Sequence, residues 1–171
     1  MVDYFKIFSI TQQFNIDKDL LEKSYFQFQS QFHPDANNAS NIIDANINDI
    51  EKSIAINEGY KVLSDDFLRA CHLIELQGID ILKDEKAIKV NQATLIEILE
   101  IQEQIALEKD LQNIDNKISF ISNKINSLIL QSMETMKEKV NKAAQILVRA
   151  KYFKKCLIDL KNRKKELKNA V

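Results

Sequence analysis

Apolar residues recur at helical spacing along nearly the whole chain, and the pattern is broken most sharply at one tripeptide. Leu21, Tyr25, Phe28 and Phe32 fall on one face of a helix over residues 18–32, with Asp17 placed to cap its start. That pattern ends at His33-Pro34-Asp35, which holds the only proline of the chain. Proline cannot continue a helix and disfavours the α region for the residue before it. His33 and Asp35 are therefore expected on a stiff, exposed turn. A donor and a carboxylate held in that way form a compact contact point for another protein. Upstream, residues 3–8 read as a short helical piece, with Phe5 and Phe8 on one side. Downstream, residues 36–40 read as a loop. A third helix runs to about Leu63, with Ile56, Tyr60 and Leu63 as core candidates. Gly59 inside it costs roughly 1 kcal/mol relative to alanine. Ser64-Asp65-Asp66 stops that helix and caps a fourth over residues 67–77, which Gly78 ends.

Beyond Gly78 the period changes. Residues 79–89 carry alternating charge and mark the boundary between two parts, 1–78 and 90–171. Ile114, Ile118, Ile121, Ile125 and Leu128 are spaced four, three, four, three, which is a heptad seam. Val140, Ala144, Leu147, Leu157, Leu160 and Leu167 continue a looser stripe in a last long helix. Three long helices without glycine or proline predict an antiparallel three-helix bundle. No strand pattern and no internal repeat is present, so the expected class is all-α.

The helix over residues 91–108 has two apolar faces. Thr94, Ile98, Ile101 and Ile105 form one seam, sufficient to pack a bundle. Leu95, Ile96 and Leu99 fall outside it at about 100° per residue, beside Glu100, Glu103 and Leu107. A wider core stripe would absorb Leu95 and Leu99. Ile96 lies opposite the seam and is harder to bury in that way, which leaves a partner surface as the other reading.

Composition narrows the functional classes. Of 171 residues, 45% are hydrophobic, and only two are glycine, which fits long helices with short connections. A formal net charge of −1 supplies no global attraction to nucleic acid or anionic lipid. No apolar run reaches membrane-spanning length, and the acidic, aromatic start resembles neither a signal nor a transit peptide. A soluble, cytoplasmic protein is expected. Cys71 and Cys156 are isolated and read as buried free thiols. His72 sits on an apolar helix beside Leu73 and Leu76 and reads as a packed core histidine. Glu97, Glu100, Glu103 and Glu108 have no histidine beside them, which argues against a di-metal bundle. Lysines at 151, 154, 155, 161, 164, 165 and 168, with Arg163, read as a solvated helix face without a nucleic-acid motif. There is no nucleophile–base pair, phosphate loop or cofactor motif. No enzyme activity, metal or cofactor is expected.

Three stretches resemble a J-domain, the module that stimulates ATP hydrolysis by DnaK-type chaperones. They are Phe32-His33-Pro34-Asp35; the preceding Leu21, Tyr25 and Phe28; and the run from Ala55-Ile56-Asn57-Glu58-Gly59 through Tyr60-Lys61-Val62-Leu63-Ser64-Asp65. A narrower likeness spans the chain. The start Asp3-Tyr4-Phe5-Lys6-Ile7-Phe8, and Leu68-Arg69-Ala70 followed by Leu73, Ile74, Leu76 and Gly78, resemble the HscB-type co-chaperones of iron–sulfur cluster assembly.

That resemblance implies an N-terminal J-domain over 1–78, a linker over 79–89 and a scaffold-binding three-helix bundle over 90–171. It implies that His33, Pro34, Asp35 and Lys23 contact a DnaK-type, HscA-like chaperone. It implies that Leu95, Ile96, Leu99, Glu100, Glu103, Leu107 and Phe153 bind an IscU-type scaffold protein, with the chain itself a monomer. Leu107 stands where the family has an acidic residue, and Ala36 where a lysine follows the tripeptide. The second helix usually shows the chaperone a basic face. Here Lys18 and Lys23 share that face with Glu22, Phe26, Gln27, Ser30 and Gln31, so electrostatic steering is expected to be weak. Two alternatives stay open: a J-domain protein with another client, and a helical adaptor unrelated to chaperones.

Overall fold

The computed structural model describes residues 1–32, 47–83, 88 and 90–169. Among these there are seven helices and no strand: α1 (Tyr4–Ile7), α2 (Lys18–Phe32), α3 (Ile47–Ser64), α4 (Asp66–Glu75), α5 (Gln92–Leu107), α6 (Leu111–Met136) and α7 (Val140–Asn169). They fall into two compact units, Met1–Leu76 and Gln77–Val171. His33-Pro34-Asp35 and most of the segment 84–89 lie outside the described residues.

In the first unit α2 and α3 form an antiparallel hairpin. Asp17 caps α2 by accepting from the Leu20 N–H at 3.0 Å. Tyr25 stacks on Tyr60 with ring centroids 4.1 Å apart. The Tyr25 hydroxyl and the Gln29 amide both donate to Asn57 Oδ1, at 2.9 and 2.7 Å. Short α1 then packs across α3. The close approach needs Gly59, since a Cβ there would lie 2.9 Å from ring atoms of both Phe8 and Tyr4. The Tyr4 N–H, which α1 itself leaves without an acceptor, donates to His72 Nε2 at 3.3 Å. His72 Nδ1 is 3.2 Å from Glu75, so the buried ring bridges two elements.

The turn from α3 into α4 is fixed by a buried arginine. Asp65 caps α4 through the Leu68 N–H at 2.8 Å. Arg69 is buried, and its guanidinium donates to the carbonyls of Phe14 and Leu63 and to Asp66. Lys18 also reaches Asp66, at 2.7 Å. Burial alone would raise the Asp66 pKa, but the hydrogen bonds from Lys18 and Arg69 win and hold it below the ordinary value. Helix α4 ends two residues short of the expected Gln77. The chain then turns through Gly78, whose φ of +93° belongs to the left-handed region.

In the second unit α6 and α7 pack along most of their length as an antiparallel pair. The buried Ser132 hydroxyl donates to the Ala143 carbonyl at 2.8 Å near one end, and Lys164 pairs with Asp115 near the other. Most of the heptad seam is the core of α6: Ile114, Ile121, Ile125 and Leu128 are buried, and Ile118 is half-buried. Helix α7 buries Ala144, Leu147 and Leu160 of the expected stripe, leaves Val140, Leu157 and Leu167 half-buried, and adds Ala143, Val148, Ala150, Phe153 and Cys156. It needs the extra width because α5 packs on it as well as α6. Cys71 and Cys156 are both buried free thiols.

Candidate functional site

Helix α5 begins at Asn91, whose side chain accepts from the Thr94 N–H at 2.8 Å. It buries Thr94, Ile98 and Ile105. Two carboxylates tie it to its neighbours. Glu97 meets Arg149 of α7 at 2.5 Å and Lys124 of α6 at 3.6 Å. Glu108, just past the last turn, meets Lys117 of α6 at 3.0 Å, while its carbonyl accepts from Arg163 Nε at 3.2 Å. These pairs run α5 parallel to α7 and antiparallel to α6. The hydrogen bonds from Lys117 and from the Asp110 N–H draw the Glu108 pKa down from 4.5 to about 2.

With one face pinned, the opposite face is open. Leu95, Ile96 and Leu99 are 41%, 48% and 59% exposed, and Leu107 more so. Glu100 and Glu103 are exposed among them. Ile96 lies nearly opposite Ile98 and Ile105 at about 100° per residue. Leu95 and Leu99 are therefore surface residues, and the wider core stripe that would absorb them is not formed. Four large aliphatic side chains and two carboxylates share this open face, a mixture of apolar and charged groups such as protein–protein interfaces use.

Phe153 is corrected by the structure. Expected as an aromatic surface contact, its ring is fully buried. It lies beneath two cations, with Lys124 Nζ 5.7 Å and Arg149 Cζ 5.8 Å from the centroid. Residue 153 of α7 falls where α5 and α6 both cover the helix, which leaves no open side for the ring. Phe153 thus supports the Glu97–Arg149–Lys124 clamp under α5 and does not line its outer face. No spacing in the chain signals this clamp, since its members lie on three helices.

Lys23 lies on the exposed face of α2, in the other unit, with Glu22, Phe26 and Gln27 also exposed. His72 is buried, as expected of a core histidine. Among the described residues no group of three or more His, Cys, Asp or Glu side chains converges to hold a metal ion. Among them, no helix is long and apolar enough to cross a membrane.

The family described as "HSCB C-terminal oligomerisation domain" matches residues 90–161, the region that contains α5, α6 and most of α7. A co-chaperone protein HscB of Buchnera aphidicola is 30% identical over 170 residues, covering 90% of each chain. An HscB homolog of Shewanella woodyi is 28% identical over 167 residues, covering 93% of this chain and 95% of its own. Among solved structures, human co-chaperone HscB aligns with a TM-score of 0.83 at 24% identity, over 96% of this chain and 83% of that one. Chaperone HscB from Vibrio cholerae aligns with a TM-score of 0.81 at 22% identity, over 97% and 99%. The all-helical architecture, a J-domain followed by a C-terminal helical bundle, is the one expected from the sequence. With a relative 30% identical over nine tenths of both chains, and a fold like that of the solved HscB structures, this chain belongs to the HscB family of co-chaperones.

Proposed function

We propose that this chain stimulates the ATPase of a DnaK-type, HscA-like chaperone and delivers to it an IscU-type iron–sulfur scaffold protein. In this reading His33, Pro34 and Asp35, with Lys23 on α2, contact the chaperone. The outer face of α5 holds the scaffold through Leu95, Ile96 and Leu99, with Glu100, Glu103 and Leu107 around them. The chain acts as a monomeric tether that raises the concentration of each partner near the other. The observation that carries the reading is the open apolar row of α5, on a helix whose opposite face is already committed to the bundle.

The test is a calorimetric titration of the full chain with an IscU-type scaffold, for wild type and for Leu95, Ile96 and Leu99 changed together to alanine. The expected result is lost binding with unchanged melting, each truncation weakening affinity by roughly 1–2 kcal/mol. Equal affinity for wild type and variant would remove the scaffold from this face. The description of the matching family as an oligomerisation domain favours a second reading, in which the same row pairs two copies of the chain. Light scattering over a range of concentrations separates the two. A dimer that the triple variant abolishes supports self-association, and a monomeric mass throughout supports the tether.

A further inference from the structure

Helix α5 buries the smallest share of itself in the second unit: three of 16 residues, against seven of 26 in α6 and eight of 30 in α7. Its charge is one-sided as well. Glu97, Glu100 and Glu103 are its only charged residues, and Glu108 follows just past its end. Like charges one turn apart repel, and carboxylates towards a C-terminus oppose the helix dipole. A helix of 16 residues is marginal in water even without that handicap. The compensating cations sit on the other two helices: Lys117 and Lys124 on α6, Arg149 and Arg163 on α7. Arg149 is tightly held. Its guanidinium meets Glu97 at 2.5 Å and lies 5.8 Å from the centroid of the buried Phe153 ring. Its buried Nε has no acceptor among the described residues. A group that leaves an N–H unsatisfied stays in place only because its other partners hold it.

Resting on the function proposed above, we infer that Arg149 is a positioning residue for the outer face of α5. By holding Glu97 it keeps α5 docked on α7, and so keeps Leu95, Ile96 and Leu99 in one fixed row for a scaffold that it does not itself touch. Helix α5 is then the first part of the bundle to open, and it opens as one piece while α6 and α7 stay paired. A partner that binds only the docked helix meets fewer competent molecules once the clamp is cut. Its apparent affinity falls by that fraction.

The experiment is amide hydrogen exchange on the free full chain, followed by calorimetric titration with an IscU-type scaffold, for wild type, Arg149→Gln, Arg149→Lys and Lys124→Gln. In Arg149→Gln the amides of α5 are expected to exchange about tenfold faster, with those of α6 and α7 unchanged. Scaffold affinity is expected to fall by about threefold or more in the same variant. Arg149→Lys keeps the charge and is expected to stay close to wild type in both measurements. Lys124→Gln cuts the longer arm of the clamp, at 3.6 Å, and is expected to shift α5 in the same direction by less. It carries the test should Arg149→Gln fail to fold. Exchange that rises alike in all three helices overturns the inference, by making Arg149 a general packing residue. So does α5 exchange that matches wild type, or an Arg149→Lys variant as loose as Arg149→Gln, which assigns the effect to shape and not to charge. Loosened α5 with undiminished scaffold affinity overturns it too. A wild-type chain that binds no scaffold overturns the proposed function and removes the scaffold from the inference, while exchange in the free chain judges the clamp in either case.

Discussion

Single side chains hold both units together at places where the backbone alone would leave polar groups stranded. Arg69 is the strongest case, since two carbonyls far apart in sequence and one carboxylate depend on it. Arg69→Leu fills similar volume but leaves the carbonyls of Phe14 and Leu63 without that donor. It is expected to destabilise the first unit by about 1–3 kcal/mol for each carbonyl left unpaired, seen as a lowered urea midpoint. Glu108 gives a pH-dependent counterpart in the second unit. Its pKa is lowered in the folded chain, so its contribution is fully present above the ordinary value of 4.5 and is lost as pH falls towards about 2. Glu108→Gln is therefore expected to melt below wild type at neutral pH, with the difference closing across that acid window. A difference that persists unchanged at pH 2 would mean that the residue acts through packing and not through its charge.

Helix α5 shows how one element serves two masters. Ile98→Ala opens a cavity between α5 and the bundle, and is expected to cost about 2–5 kcal/mol of stability. Leu99→Ala, one residue on, is expected to stay within roughly 0.5 kcal/mol, since the side chain is mostly in water. Chemical unfolding of the two variants measures that contrast directly. The sequence made this division readable because Ile96 and Leu99 fall off the four-three seam that Thr94, Ile98 and Ile105 obey. The starts of α2 and α4 are equally readable, because Asp17 and Asp65 are local caps and capping is decided within three residues. What escaped the sequence is long-range pairing. Nothing in the spacing joins Glu97 to Arg149, 52 positions apart, or brings Phe14 to Arg69. Phe153 has a different origin: the family resemblance alone put it at the scaffold surface, and the structure buries it in α7, which packs against both α5 and α6.

At the scale of the whole chain the two units, Met1–Leu76 and Gln77–Val171, each have a core of their own. A fragment ending at Gly78 is expected to show helical circular dichroism and a cooperative melt, and to stimulate the chaperone without binding scaffold. A fragment without a melt would show that the first unit borrows stability from the second. The separation of duties within α5 has a consequence for descent as well. Substitutions at Ile98 or Ile105 are filtered by folding, which every copy of the chain must satisfy in any cell. Substitutions at Leu95, Ile96, Leu99 and Leu107 are filtered only by whatever binds there. The outer face can therefore drift in step with its partner while the inner face stays still. In that light Leu107, the most exposed aliphatic residue of that face, marks a position at which recognition can be rewritten without touching the fold.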